Sequence, residues 1–315
     1  MKTGIVLLNM GGPEKLEDVR PFLYNLFSDR ELIKLGPALM QRPLAWYISR
    51  KRAPKSRNLY AQIGGGSPLT QITAAQTEKL GQLLAGRKAA TTFAMRYWQP
   101  RASQAIAELE AAQVERIVLL PLYPHYSKAT NGSSIRDFEN ELAKSRLGGK
   151  IRELIIIRSW PDQPDYINCL TSRIEQGLLQ FSSSEITILY SAHNLPVSMI
   201  EGGDPYVEHL GRTIEAVEAK TGKKGILCYQ SRSGPVEWLS PSTSDTIAEL
   251  AAKGSKNILV VPISFVSDHV ETLYEIEIMF RQEAEELGVN LQMTKGLNDE
   301  QDFIQALGQL VLPWL

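Results

Sequence analysis

The chain has 315 residues, 43% of them hydrophobic, with 34 basic and 35 acidic residues and a formal net charge of −1. That length accommodates two lobes or one large domain, and the balanced charge offers no field for attracting nucleic acid. No apolar run approaches the roughly 18 residues of a membrane-spanning helix, so any membrane contact is expected to be peripheral. Cys169 and Cys228 form no CxxC pair, which argues against a disulfide framework or thiolate metal site and favours the reducing cytoplasm.

The first half of the chain alternates apolar runs with helical patterns. Residues 4–10 predict a strand, and the turn Gly11-Gly12-Pro13 separates it from a helix over 16–27. Strands separated by helices pair in parallel, so we predict an α/β fold. The later strands of this half are predicted over 91–97, 116–123 and 151–158, and its later helices over 72–84, 102–112 and 133–143.

Residues 31–55 combine apolar and aromatic side chains with a basic end that contains Arg50, Lys51 and Arg52. This composition suits a segment that touches anionic lipid at a membrane surface. The commoner alternative is a helical hairpin that packs on the core and leaves its basic end in solvent.

The second half repeats the alternation of strands and helices. A change of lobe near Trp160-Pro161 is inferred from this rhythm alone. Because ligands bind beyond the carboxyl ends of parallel strands, we expect the functional residues there. Strands are predicted over 186–191, 225–230, 258–265 and 291–294, and helices over 166–179, 205–219, 242–252, 271–287 and 299–310.

Polar and aromatic residues follow three strands of the second half. His193 follows the first strand and Trp238 lies beyond the second. Beyond the third strand, Glu271 and Glu275 are four residues apart and would share one helix face, with His269 at the preceding turn. We therefore predict that two carboxylates and an imidazole converge.

Asp268 and Glu271 also match a helix capping box, in which the side chains satisfy backbone N–H groups at the start of a helix. Acidic residues are common in first turns, so this structural interpretation is a real alternative.

The strands of the first half end in residues suited to a flat apolar ligand with acidic edges. Aromatic rings and a thioether can pack against such a ligand, and Arg pairs bidentately with carboxylates. Ordinary core packing is the alternative for any single aromatic residue. The candidates at these strand ends are Met10, Arg96, Tyr97, Tyr123 and Ser127.

Seven stretches occur in the order found in one known family: LLNMGGP (7–13), IGGGSP (63–68), MRY (95–97), PLYP (121–124), SAHNLP (191–196), YQSR (229–232) and SDHVETLYE (267–275). The chain thus resembles the ferrochelatases, which insert ferrous iron into a porphyrin. The resemblance implies two Rossmann-like lobes, each a doubly wound parallel sheet, with the active-site cleft between them. The first lobe is expected over 1–158 plus 297–315, and the second over 159–296.

The resemblance implies that His193 and Glu271 are the catalytic pair and contact the metal. Metallation replaces two pyrrole N–H protons with Fe²⁺, so the site needs a proton acceptor, and a neutral imidazole can serve near pH 7. His269 and Glu275 would belong to a proton and metal path beside the pair. Fe²⁺ is then a substrate, and no permanently bound cofactor is expected.

The resemblance also implies that Trp238 and Met10 pack against opposite faces of the porphyrin and that Arg96 lies near its propionates. Residues 31–55 resemble the apolar lip of the branch that uses protoporphyrin, and Met10 stands where the coproporphyrin branch tends to have Tyr. Both features favour protoporphyrin IX. Coproporphyrin ferrochelatase, cobalt chelatase and a non-catalytic tetrapyrrole carrier are the alternatives.

Three positions depart from the family pattern. Met279 stands where many relatives carry a further acid, so a long line of carboxylates along this helix is not expected. His125 stands where relatives often have Gln, and it is predicted to be a supporting or structural residue rather than a ligand. The chain ends at Leu315 without the C-terminal cysteines that hold a [2Fe–2S] cluster in some relatives, so no cluster is expected.

Overall fold

The computed structural model describes residues 1–183, 185–232 and 234–315. It divides into two compact units: unit 1 comprises Met1–Trp160 and Asn298–Leu315, and unit 2 comprises Pro161–Leu297. Each unit contains a four-stranded parallel sheet with helices packed beside it. The predicted α/β fold with parallel sheets is therefore confirmed. Across the described ranges, no helix combines the length and the apolar character needed to cross a membrane.

The sheet of unit 1 has the spatial order β2-β1-β3-β4, with all neighbours parallel. All of β1 is buried because strands flank it on both sides. Ile117 and Phe138 are fully buried in the core beside this sheet, and burying each such side chain contributes roughly 1.5–3 kcal/mol. The strands are β1 (Thr3–Asn9), β2 (Ala89–Met95), β3 (Arg116–Pro121) and β4 (Glu153–Ile156).

The sheet of unit 2 repeats this pattern with the order β6-β5-β7-β8, again all parallel. Fully buried Leu189 and Val260 lie in its core. The strands are β5 (Thr187–His193), β6 (Gly225–Gln230), β7 (Asn257–Pro262) and β8 (Asn290–Met293).

The helices begin and end at residues with clear local causes. Pro164 occupies the first turn of one helix, and Gln163 Oε1 accepts from the Tyr166 N–H at 2.6 Å. Gly222, with φ +66°, ends another. In chain order the helices are α1 (Val19–Ser28), α2 (Gln41–Gln62), α3 (Leu69–Leu83), α4 (Ala102–Ala111), α5 (Ser133–Lys144), α6 (Pro164–Leu178), α7 (Val197–Glu201), α8 (Tyr206–Thr221), α9 (Thr243–Ala252), α10 (Arg281–Glu286) and α11 (Gln301–Val311).

Both sheets place the first strand of the unit between the second and the third. In doubly wound sheets, ligands bind at this switch in strand order, beyond the carboxyl ends of the two central strands. The switch lies between β1 and β3 in unit 1 and between β5 and β7 in unit 2. The residues that follow these four strands are therefore the candidates for a ligand site.

The segment after β7 differs from the predicted α-helix over 271–287. Glu271–Phe280 is a π-helix, and α10 continues from it. A π-helix closes i→i+5 hydrogen bonds, is rare over this length, and occurs frequently at functional sites. Residues four apart still lie near one face, so the wider winding keeps Glu271 and Glu275 on the same side.

Candidate active site

His193 and Glu271 meet at the switch point of unit 2. His193 is the last residue of β5, and Glu271 is the first residue of the π-helix. The imidazole Nδ1 and the carboxylate Oε2 are 2.7 Å apart. The His193 N–H donates to Ser264 Oγ at 2.9 Å, and its carbonyl accepts from the Tyr206 hydroxyl at 3.0 Å. These contacts fix the histidine on both sides of its Cα.

Burial and charge act in opposite directions on this pair. Burial, the largest influence, lowers the pKa of His193, but the charge and hydrogen bond of Glu271 outweigh it and raise the net pKa. Burial likewise raises the pKa of Glu271, but the imidazole outweighs it and holds the net pKa well below the usual range. The ionised carboxylate then accepts from Nδ1–H, so Nε2 keeps its lone pair when the ring is neutral.

Ser231 and Gln230, at the end of β6, connect Glu271 to Glu275. The Ser231 hydroxyl lies 2.9 Å from Glu271 Oε2 and 2.6 Å from Glu275 Oε2. Gln230 Nε2 donates to the Glu271 carbonyl at 3.0 Å and to Glu275 Oε2 at 3.3 Å. Burial and the neighbouring Glu271 charge raise the pKa of Glu275 to about 7. The two glutamates therefore differ in proton affinity although they share one hydroxyl.

His269 lies beside this group and carries no charge of its own near neutral pH. Its Nδ1 is 3.1 Å from the Ser267 carbonyl, a contact that requires a proton on Nδ1 and leaves Nε2 as an acceptor. Burial lowers the pKa of His269. Phe265 packs edge-on against the ring with 4.4 Å between centroids. His269 is thus a neutral imidazole held in one tautomer.

The capping-box interpretation does not describe the Glu271 side chain. Its carboxylate contacts His193 and Ser231, and Val270 at the N-cap makes no side-chain capping bond. Asp268 Oδ1 instead accepts from the Thr272 hydroxyl at 3.0 Å. In this first turn, Glu271 contacts its partner in the active pair, and Thr272 Oγ1 accepts from the His269 N–H at 3.1 Å.

Trp238 is held next to the segment that follows His193. It forms an antiparallel bridge with Pro196, and its indole N–H faces the Gly234 carbonyl at 3.5 Å. The fully buried Asn194 donates to the Leu239 carbonyl at 3.0 Å and so ties the two segments together. The half-buried indole thus belongs to the same strand-end region as His193.

In unit 1, Arg96 is the centre of a buried polar network at the end of β2. Its three guanidinium nitrogens contact Ser133 Oγ at 2.7 Å, Asp29 Oδ2 at 3.0 Å and Asp137 Oδ1 at 3.3 Å. Tyr97, only 1% exposed, donates its hydroxyl to the same Asp29 oxygen at 2.8 Å. The structure therefore brings Arg96 and Tyr97 together around Asp29.

The remaining candidates of unit 1 lie at the ends of β1 and β3. Met10 and Tyr123 are half-buried, and burial raises the pKa of Tyr123. The Met10 carbonyl accepts from the Tyr97 N–H at 2.9 Å, which joins the ends of β1 and β2. Ser127 is 1% exposed, and its hydroxyl accepts from the Ala129 N–H, so in this structure it caps a short π-helical turn.

Sequence reasoning did not assign roles to Asp29, Gln230, Ser231 or Ser264. Gln230 is the last residue of a predicted strand and Ser231 follows it, so the expectation that functional residues lie at the carboxyl ends of strands could have included both. Asp29 acts across 67 residues of sequence, and no local pattern signals such a partner. Among the residues described, no group of three or more His, Cys, Asp or Glu side chains is arranged to hold a metal ion.

Comparisons with known proteins identify the family and the fold of this chain. A ferrochelatase family model matches residues 2–313. Ferrochelatases of Desulfotalea psychrophila and Geotalea uraniireducens are 56% and 46% identical; each alignment covers 98% of this chain, with 96% and 97% of the respective relative. The structure of SirB from Bacillus subtilis with Fe³⁺ shares the fold at 10% identity, with a TM-score of 0.60 over 99% of this chain and 95% of that one. The chain belongs to the ferrochelatase family.

Proposed function

We propose that this chain inserts Fe²⁺ into protoporphyrin IX to give protoheme, the final step of heme synthesis. As a member of the ferrochelatase family it is an enzyme of the lyase class that places a metal in a porphyrin. The observation that supports the residue roles best is the 2.7 Å His193–Glu271 contact at the strand-order switch of unit 2.

The reaction consumes Fe²⁺ and a porphyrin with two pyrrole N–H groups, and it releases heme and two protons. Neutral His193 would accept a pyrrole proton at Nε2, because Nδ1 is engaged by Glu271. The resulting imidazolium is stabilised by the Glu271 carboxylate, in the same way that a buried acid supports a catalytic histidine elsewhere. Glu271 therefore serves both as orienting group and as counter-charge.

Glu275 and His269 would serve the incoming cation and the outgoing protons. Carboxylate oxygens suit a hydrated divalent cation, and neutral imidazole is a ligand of Fe²⁺ and an acceptor of protons. Glu275, with its pKa near 7, can be ionised or protonated at neutral pH. It is thus chemically suited to take up and release one proton in each turnover.

The porphyrin would be held by apolar and aromatic contacts with Met10, Tyr123 and Trp238. Arg96 is proposed to attract a propionate, with Tyr97 and Asp29 fixing its guanidinium. Buried Ser127 would support the turn beyond Tyr123.

The substrate test compares three reactions: Fe²⁺ with protoporphyrin IX, Fe²⁺ with coproporphyrin III, and Co²⁺ with sirohydrochlorin. We expect the highest kcat/KM with the first pair. Preference for coproporphyrin III would overturn the choice of porphyrin, and turnover of sirohydrochlorin alone would indicate a cobalt chelatase.

His193→Ala separates an enzyme from a tetrapyrrole carrier. The variant should lose insertion while porphyrin binding, followed by quenching of porphyrin fluorescence, stays close to wild type. A wild-type protein that binds porphyrin without turnover would support a carrier.

We also propose that residues 31–55, the lip segment, bring the cytoplasmic protein to a membrane surface. Leu39 is 92% exposed, and Trp46 and Tyr47 are each 49% exposed. Arg20 and Arg50 both lie 5.7 Å from the Trp46 ring centroid, which places cations around an interfacial indole. Apolar side chains ringed by cations suit an anionic lipid surface, which would also supply an apolar porphyrin.

Vesicle co-sedimentation tests the lip segment. Leu39→Ser with Trp46→Ser should lower binding to anionic vesicles, and added salt should weaken wild-type binding. Leu179→Ser is the matched control, because Leu179 is 84% exposed but lies in unit 2. Equal binding of all three proteins would contradict the membrane role.

A further inference from the structure

We propose that Ser231 is a positioning residue that holds Glu271 against His193 by linking it to Glu275. This inference rests on the proposed roles of His193 and Glu271. It adds a residue from a third strand end, β6, to a pair supplied by β5 and the π-helix.

The contacts of the Ser231 hydroxyl give the first reason. It lies within hydrogen-bond distance of one oxygen from each glutamate, at 2.9 Å for Glu271 Oε2 and 2.6 Å for Glu275 Oε2. The Glu271 oxygen is the same one that contacts His193 Nδ1. Ser231 therefore restricts the rotation of the carboxylate that orients the imidazole.

The backbone at Ser231 gives a second, independent reason. Its φ is +69°, in the left-handed region that favours glycine, and Gly234 in the same loop has φ +86°. A serine at such a position sacrifices stability that glycine would keep. Strain of this kind occurs at functional sites, where the side chain is needed at that point.

The neighbouring residue makes the attachment two-sided. Gln230 is 2% exposed, and its amide donates to the Glu271 carbonyl and to Glu275 Oε2. Its own oxygen accepts from the Ser191 hydroxyl at 2.6 Å, which anchors it to β5. The end of β6 therefore holds the backbone of the π-helix through Gln230 and its carboxylates through Ser231.

Three variants test the proposal. Ser231→Ala removes the hydroxyl, and Ser231→Gly removes the hydroxyl and the strained Cβ. Ser244→Ala is the matched control, because it deletes another serine–glutamate hydrogen bond of unit 2, the 2.7 Å contact with Glu283 on α10. The measurements are kcat, the KM values for Fe²⁺ and porphyrin, porphyrin affinity and Tm.

We expect both Ser231 variants to lower kcat roughly 10-fold, as loss of a supporting hydrogen bond at a metal site does, with porphyrin affinity unchanged. Ser231→Gly should have a Tm about 1–3 °C above that of Ser231→Ala, because both variants lack the hydroxyl and only glycine relieves the strain. A purely structural serine would give the more stable Ser231→Gly variant a higher kcat than Ser231→Ala. Ser244→Ala should keep wild-type kcat.

Wild-type kcat in Ser231→Ala and Ser231→Gly would overturn the inference. So would a higher kcat in Ser231→Gly than in Ser231→Ala, or weaker porphyrin binding in both variants, because activity would then follow stability or binding and not the position of Glu271. Parallel assays of His193→Ala and Glu271→Gln separate this failure from failure of the proposed function. If those two variants also keep wild-type turnover, the roles of the pair are wrong; if only the Ser231 variants do, the positioning role is wrong.

Discussion

Glu271→Gln is the most informative single change, because it keeps the shape of the side chain and removes its charge. The carboxylate lies 2.7 Å from His193 Nδ1, and the Glu271 side chain is only 17% exposed. Water can therefore replace little of the electrostatic stabilisation that the carboxylate gives the imidazole. Proton transfer by a positioned side chain typically contributes 10²–10⁴-fold to a rate, and Glu271→Gln removes the charge that supports this transfer. We expect kcat for Fe²⁺ insertion to fall about 100-fold, which corresponds to about 2.7 kcal/mol of transition-state stabilisation.

The pH profile of this variant gives a test of direction. His193 accepts a proton only when neutral, so kcat/KM falls on the acid side of its pKa, which Glu271 raises above the ordinary 6.5. In Glu271→Gln, burial still lowers the pKa of His193, and of the charges that raise it only the smaller contribution of Glu275 remains. The acid limb should therefore move to lower pH.

The assay is the initial rate of porphyrin fluorescence loss under anaerobic conditions. It is measured between pH 5 and pH 9, on the order of every half pH unit, which covers the ordinary pKa range of histidine.

The His193–Glu271 pair also makes the stability of the fold depend on pH. A raised His pKa stabilises the fold below the unfolded value of 6.5, and this contribution disappears as pH rises through the folded value. In the kcat/KM profile of Glu271→Gln, an acid limb that stays in place or moves to higher pH would refute the proposal that Glu271 raises the pKa of His193.

Three further predictions concern stability. Asp29→Asn should lower the free energy of unfolding in urea by roughly 2–4 kcal/mol, because Arg96 loses a buried partner. Burial raises the pKa of Asp29, but Ser133 and Arg96 outweigh it and lower the net pKa. The difference in stability between wild type and variant should therefore persist above pH 3.8 and shrink below it. The Tm of Glu275→Gln should rise relative to that of wild type as pH increases from 4.5 to about 7. Wild type loses stability in this range because Glu275 is ionised in the unfolded chain before it is ionised in the folded one. A Tm difference that does not change with pH would contradict this prediction. Gly66→Ala should lower Tm, because its Cβ would collide with the Glu14 carbonyl, whereas Gly211→Ala, with open space inside α8, should gain about 0.5–1 kcal/mol in urea denaturation.

The sequence predicted the strands well because buried parallel strands are continuous apolar runs. Residues 116–123 and 258–265 were predicted as strands, and β3 and β7 begin within one residue of those positions. Their ends were predicted too late, since apolar character continues past the last ladder hydrogen bond. Because the strands were predicted in the right places, the expectation that functional residues follow the carboxyl ends of parallel strands placed His193 and Glu271 near one another.

Other features could not be predicted from local pattern. The π-helix over Glu271–Phe280 consists of residue types that also form α-helices, so no local pattern distinguishes the two windings. The left-handed backbone conformation at Ser231 could not be predicted either, because the residue usually found there, glycine, is absent at this position. Asp29 reaches Arg96 only after the chain has folded, so tertiary pairing rather than propensity decides its role.

The two units have the same strand order but differ in what stands at the end of the central strand. In β2-β1-β3-β4 and in β6-β5-β7-β8, the first strand of the unit pairs with the second on one side and with the third on the other. Asn9 and His193 are the seventh and last residues of the first strands, β1 and β5. Unit 1 therefore ends its central strand in a buried amide that cannot accept a proton near neutral pH, and unit 2 ends the corresponding strand in an imidazole that can.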